Sequence, residues 1–140
     1  MSNRSLATLT ITSSTLSPQD ITNHLRIKPT VSHKKGTLLN PKNPNSKIRN
    51  KSSWLLRSSM NRKDSLEDKI NGLTNVIQDN LSLFKQIEKE IDVEIYCSFF
   101  LQEESDTFYL PSITITKLSL IPIDIIVTIY PFNGGDVVTD

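Results

Sequence analysis

Between Asp64 and Asp92 the apolar residues Leu66, Ile70, Leu73, Ile77, Leu81, Phe84, Ile87 and Ile91 recur at intervals of three and four. At about 100° per residue they fall within one arc of roughly 120°, and Glu67, Asp68, Asn71, Asn75, Gln78, Lys85 and Lys89 lie outside it. The spacing predicts one long helix with a single buried face. Asp64 or Ser65 supplies its N-cap, and Glu67 or Asp68 reaches back to close a capping box. Such a stripe has to be covered, and the flanking β-branched segments are the candidates. A chain of 140 residues can bury one core, and a hydrophobic fraction of 36% suits a thin two-layer fold with polar loops.

Leu6–Ser13 alternates Ala7, Leu9 and Ile11 with Thr8, Thr10 and Thr12, the pattern of a half-buried strand. Ser17-Pro18-Gln19-Asp20 then opens a helix of about two turns, with Ser17 as cap and Pro18 in the first turn; Lys28-Pro29-Thr30 is its expected stop. Residues 31–52 read as a long basic loop holding Pro41 and Pro44, with a brief strand at Thr37–Leu39. Ser53–Arg57 is apolar enough for a buried strand, and Trp54 belongs in the core. Val93–Leu101 is a strand with Val93, Ile95, Cys97 and Phe99 on one face; Gln102–Asp106 is a turn, and Thr107–Leu110 returns as a short strand. Ile123–Tyr130 is a further strand, and 132–140 is a tail containing Asn133-Gly134-Gly135. Leu110–Ile121 fits two readings: propensity and periodicity lean to strand, whereas Pro111-Ser112 resembles a helix start. Gly72, inside the helical pattern, is expected to mark close packing against a strand.

Charge is segregated along the chain. Met1–Lys63 holds twelve Lys and Arg against one acid, a net +11, and Asp64–Asp140 holds four Lys against fourteen acids, a net −10. Folding can interleave the halves and cancel the field, or leave a charged surface for a partner. Two clusters stand out. The basic one is Lys34, Lys35, Lys42, Lys47, Arg49 and Lys51; the acidic one is Asp92, Glu94, Glu103, Glu104 and Asp106. The basic stretch resembles a nucleic-acid arm but lacks aromatic residues for stacking bases, which favours a solvated loop.

No catalytic constellation is recognisable. His24 and His33 have no neighbour at metal-ligand spacing, and no metal or cofactor is expected. The four glycines form no phosphate loop, and no serine or cysteine lies in a nucleophile context. Cys97, the sole cysteine, reads as an inert buried thiol and suits a reducing cytosol. Met1–Thr15 has one charged residue and no apolar run, and Leu118–Tyr130 is too short for a membrane span and carries Asp124. The expectation is a cytoplasmic protein with no membrane contact.

The order of features resembles a bacterial family catalogued as domain of unknown function 4279. The likeness runs from about Leu6 to Tyr130: an early strand, Ser17-Pro18-Gln19-Asp20-Ile21-Thr22 with Leu25, Ile27 and Pro29-Thr30, then Lys35-Gly36, Trp54, a helix opening at Ser65-Leu66-Glu67, and a closing Ile123-Asp124-Ile125 to Tyr130. The resemblance implies a short helix over Leu110–Leu120 in place of a strand. With it the expected fold is α+β and two-layer: a four- or five-stranded, largely antiparallel sheet carrying one long helix and two short ones, in a single domain 1–140 with its core over about 6–131. The resemblance further implies no enzymatic activity and a likeness to immunity proteins encoded beside secreted or contact-delivered toxins. Such a protein binds its cognate toxin domain stoichiometrically, and Asp92, Glu94, Glu103, Glu104 and Asp106 would face that toxin's basic surface. The competing reading is a nucleic-acid-binding or regulatory module built on 34–51.

Overall fold

The computed structural model describes residues 4–132. The alternating segment at the start forms β1 (Leu6–Ser13), followed by α1 (Pro18–Leu25), β2 (Val31–His33), β3 (Ser52–Arg57), α2 (Leu66–Asp79), α3 (Leu81–Ile87), β4 (Asp92–Phe100), α4 (Ser112–Leu118) and β5 (Asp124–Tyr130). The five strands make one sheet in the order β2-β3-β1-β4-β5. β1 runs antiparallel to both β3 and β4, β2 is antiparallel to β3, and β5 is parallel to β4. The sheet is therefore mixed, where a largely antiparallel one was expected. The cause lies in the connection. Thr107–Leu110 forms no strand, and the chain instead passes through α4, a crossover that returns the next strand parallel.

The predicted helix over 64–92 is two helices. Ser65 caps α2: its hydroxyl accepts from the Asp68 N–H and the Asp68 carboxylate accepts from the Ser65 N–H, both at 3.1 Å. The break falls at Asn80, whose φ of −123° leaves helical geometry and whose side-chain amide donates to the Val76 carbonyl at 2.9 Å. Asparagine competes with the helical ladder in this way. Periodicity does not register the break, because Leu81, Phe84 and Ile87 beyond it still pack on the same core.

α1 begins as its sequence dictates, with Ser17 and Asp20 exchanging hydrogen bonds of 3.0 Å in a capping box. These bonds, the one from the Ser17 backbone foremost, hold the Asp20 pKa below its ordinary value. The helix ends at Arg26, in the left-handed region at φ 61°, earlier than the expected Lys28-Pro29-Thr30 stop. Residues 31–52 are more ordered than a plain loop. β2 opens the segment, and the chain then doubles back as an irregular ribbon: the Leu39 N–H donates to Lys47 O at 2.8 Å, the Arg49 N–H to Thr37 O at 2.8 Å, and the Gly36 N–H to Arg49 O at 2.9 Å. The brief strand expected at Thr37–Leu39 is reduced to one bridge, Leu38 to Ile48. Gly36 supports the turn at φ 89°, where a side chain would be strained.

All four helices leave one face of the sheet uncovered. Leu9, Ile11, Trp54 and Ile95 point toward the helices and are fully buried with Ile21, Leu25, Ile70 and Phe84. Trp54 ties α1 to β3, its indole N–H donating to the Thr22 hydroxyl at 3.0 Å. Gly72 departs from expectation, since a methyl built there would meet nothing within 4 Å. Lys69 is buried at 2% exposure and donates its ammonium to the Ser5 carbonyl.

Candidate interaction surface

The uncovered face is set by strand register. Partners across the sheet share a face, so Thr8 and Thr10 lie beside Tyr96 and Glu94 on one side and beside Arg57 and Leu55 on the other. The parallel pairing then sets Glu94 beside Asp124, Tyr96 beside Ile126, Ser98 beside Thr128 and Phe100 beside Tyr130. Phe100 and Tyr130 stack with centroids 4.4 Å apart and planes at 8°, and the Arg4 guanidinium lies 4.9 Å above the Phe100 ring. Tyr96 and Tyr130 are nearly half exposed, at 46% and 43%, and Ile126 is 37% exposed. The Tyr96 hydroxyl bonds to the Glu94 carboxylate, which together with burial and the carboxylate's charge raises the tyrosine pKa.

The five acidic residues proposed from sequence do not form one cluster. Asp92 and Glu94 sit at the start of β4, and Glu103, Glu104 and Asp106 follow its end, about 25 Å away along a nine-residue strand. The strand β4 itself, predicted over Val93–Leu101, holds the two groups apart. Asp106 is turned to local work, its carboxylate accepting from the Gln102 N–H at 2.9 Å and from its neighbour Thr107 at 2.8 Å. In exchange the fold brings Asp124 to Glu94, a neighbour that no sequence spacing announces because it depends on β5 running parallel. The apolar residues Tyr96, Phe100, Ile126 and Tyr130 were equally invisible as a surface, since β-branched and aromatic runs read as core.

The six basic residues lie on and beside the ribbon. Lys51 pairs with Asp92 at 3.3 Å, both side chains about half exposed or more, and the Lys35 ammonium donates to the Ser14 carbonyl at 3.2 Å. Arg49 reaches the Leu39 carbonyl at 3.5 Å, and its charge, after burial, helps depress the His33 pKa. Lys34, Lys42 and Lys47 are exposed. The basic arm is thus anchored at its base to the Asp92 end of the sheet.

Two concavities mark the surface, and neither resembles a reaction chamber. One of about 190 Å³ is lined by Ser13, Ser14, Thr15, Lys89, Glu90, Ile91 and Asp92. The other, about 630 Å³, is a broad groove between α1 and α3 lined by Leu16, Asp20, Asn23, His24, Ile87 and Glu90. His24 is held there by the Leu83 carbonyl, 3.1 Å from its Nε2. Among the described residues no three His, Cys, Asp or Glu are disposed to share a metal ion, and no helix is long and apolar enough to cross a membrane. Cys97 is buried, and burial pushes its pKa up to about 11.

The family described as Domain of unknown function (DUF4279) matches residues 3–132. The chain belongs to this family. Comparison with curated proteins and with solved structures gave no match. The match spans every described strand and helix, including α4, where the chain is helical as the resemblance implied and not a strand as β-propensity favoured. The tail read from sequence, 132–140, lies outside the described residues except for Phe132. Membership brings no assigned chemistry, so function has to be argued from the surface.

Proposed function

We propose that this protein is a non-enzymatic, cytoplasmic binding protein that neutralises a cognate bacterial toxin domain by stoichiometric docking, with the open face of β4 and β5 as the contact. The observation that supports the reading is the composition of that face. Exposed apolar side chains run from its middle, Tyr96 and Ile126, to Tyr130 at the far end, while Asp92, Glu94 and Asp124 stand at the near end and Glu103, Glu104 and Asp106 beyond Tyr130. An apolar centre with a charged rim is the usual anatomy of a protein interface, and two acidic ends suit a basic partner such as a nuclease.

The test takes the genes that flank this one and, where one encodes a large secreted protein, uses the C-terminal domain of that protein. A one-to-one complex that abolishes the toxin's activity is expected. Asp92, Glu94 and Asp124 changed together to Lys, and separately Glu103, Glu104 and Asp106 changed together to Lys, should each slow association about tenfold and reduce its salt dependence. Each end acts alone, because about 25 Å exceeds the screening length of about 8 Å at physiological salt. Association unchanged by either set and by Tyr96→Ala would sink the assignment of this face. The competing reading, nucleic acid held by Lys34, Lys35, Lys42, Lys47, Arg49 and Lys51, instead predicts oligonucleotide binding that weakens steeply with salt.

A further inference from the structure

The two edges of the sheet are built differently. β2 is three residues long and is flanked by Lys28, Pro29, Lys34 and Lys35, the short, charged, proline-bounded edge that discourages pairing. β5 is seven residues long, pairs with β4 on one side, and among the described residues has no strand on the other. From Ile125 to Tyr130 it carries no charge, proline or glycine, and Ile129 is 61% exposed. An unprotected apolar edge of this kind is a template for another strand.

We propose that the other strand is β5 of a second copy, paired antiparallel about a two-fold axis through Val127, so that two five-stranded sheets become one continuous sheet. Self-complementarity singles out this occupant. In that register Val127 faces its own counterpart, Ile125 faces Ile129, and Ile126 faces Thr128, each of the last two pairs occurring twice. Asp124, the sole charge of the strand, faces Tyr130, and the two aspartates stand at opposite ends. Parallel pairing of the two edges would set the two aspartates side by side, whereas the antiparallel two-fold arrangement separates them and closes. A strand of this length spans about 23 Å, small for an interface, so the dimer is reversible and forms at about micromolar concentrations or above. It uses the strand edge and does not depend on what docks on the open face.

Sedimentation velocity of the full chain across about 1 to 500 µM checks the proposal. The expected result is a shift from a 15.8 kDa monomer to twice that mass. Thr128→Lys and Ile126→Glu, both on the solvent side of the strand, should each weaken the dimer about tenfold, because each change acts twice across the axis. An equal mixture of the two variants should recover it, since the new lysine at 128 then faces the new glutamate at 126. Circular dichroism confirms that the variants fold. A full chain that stays monomeric throughout overturns the proposal, and so does a dimer that neither variant weakens. A chain ending at Phe132 that dimerises while the full chain does not also overturns it, and gives the edge to the last eight residues.

Discussion

Trp54 is where the two layers are joined, and its hydrogen bond to Thr22 gives a prediction whose magnitude follows from burial. The indole is fully buried, whereas Thr22 is only partly so. Trp54→Phe removes three ring atoms, the donor nitrogen among them, and the freed Thr22 hydroxyl finds water. The cost is roughly 1–1.5 kcal/mol of lost packing plus about 1 kcal/mol for the bond. Near 4 °C of melting temperature per kcal/mol at this size, that is a drop of about 10 °C. Thr22→Val changes helix propensity little but strands a buried N–H, which costs about 1–3 kcal/mol. In the Trp54→Phe background the same Thr22→Val should cost close to nothing, because the donor it orphans is gone. The assay is urea unfolding followed by far-ultraviolet circular dichroism, since Trp54 is the only tryptophan and its fluorescence disappears with it. Equal cost of Thr22→Val in both backgrounds would refute the bond between α1 and β3.

Gly72→Ala should stabilise the protein by about 0.5–1 kcal/mol in the same assay, because the added methyl meets open space and the helix interior loses a flexible residue. Ser65→Ala should cost about 1 kcal/mol by opening the α2 capping box, and Ser65→Asp should keep most of the stability. The Cys97 thiol, with its folded pKa raised from 9.0 to about 11, stabilises the fold below pH 9 and loses that contribution as pH rises through 11, because the unfolded thiol ionises first. The difference between wild type and Cys97→Val unfolding curves should show this alkaline loss, and the folded wild type should resist thiol reagents at pH 8. Tyr96 contributes a loss of the same sign above its ordinary range, present in both proteins and cancelled by the comparison.

The parts of the fold legible in the sequence are those decided by neighbours within a few residues. The Ser17 cap, the capping box at Ser65, the alternation in β1 and β4, and the burial of Trp54 and Cys97 follow from local chemistry and pattern, and the structure has them. The misses are each non-local or competitive. Asn80 breaks the long helix because its amide outbids the backbone for one carbonyl, a contest that a hydrophobic stripe cannot register. In α4 the β-branched run Ile113-Thr114-Ile115-Thr116 is helical against its propensity; Thr114 is buried and donates to Asn71 at 3.1 Å, and Leu118 is in the core. Once that helix exists β5 must run parallel, and the open face acquires both its acidic pair and its apolar centre. The candidate surface was therefore half visible: Asp92 and Glu94 could be chosen from sequence, but Asp124, Tyr96 and Ile126 could be joined to them only through the register of two strands separated by a helix.

The charge segregation gains a physical meaning from the fold. If the basic and acidic halves existed to neutralise each other, contact pairs between them would be common, yet among the described residues one ion pair is formed, Lys51 with Asp92. That pair is exposed and contributes little to stability. The basic ribbon stands off one end of the sheet, and Glu103, Glu104 and Asp106 lie off the far end of β4. Two patches of opposite sign held apart by a rigid sheet keep their fields, because screening over about 8 Å isolates them from each other. A folded chain with little net charge can in this way be acidic at one end and carry at the other a basic ribbon beside the carboxylates of Asp92, Glu94 and Asp124, and the partner it meets first is selected by the surface that faces it. The Lys51–Asp92 pair sits where the ribbon meets Asp92, Glu94 and Asp124, so Lys51→Ala leaves this acidic end of β4 and β5 more negative without touching a carboxylate. If the acidic end steers a basic toxin, this substitution should speed association at low salt while leaving unfolding within about 0.5 kcal/mol of wild type.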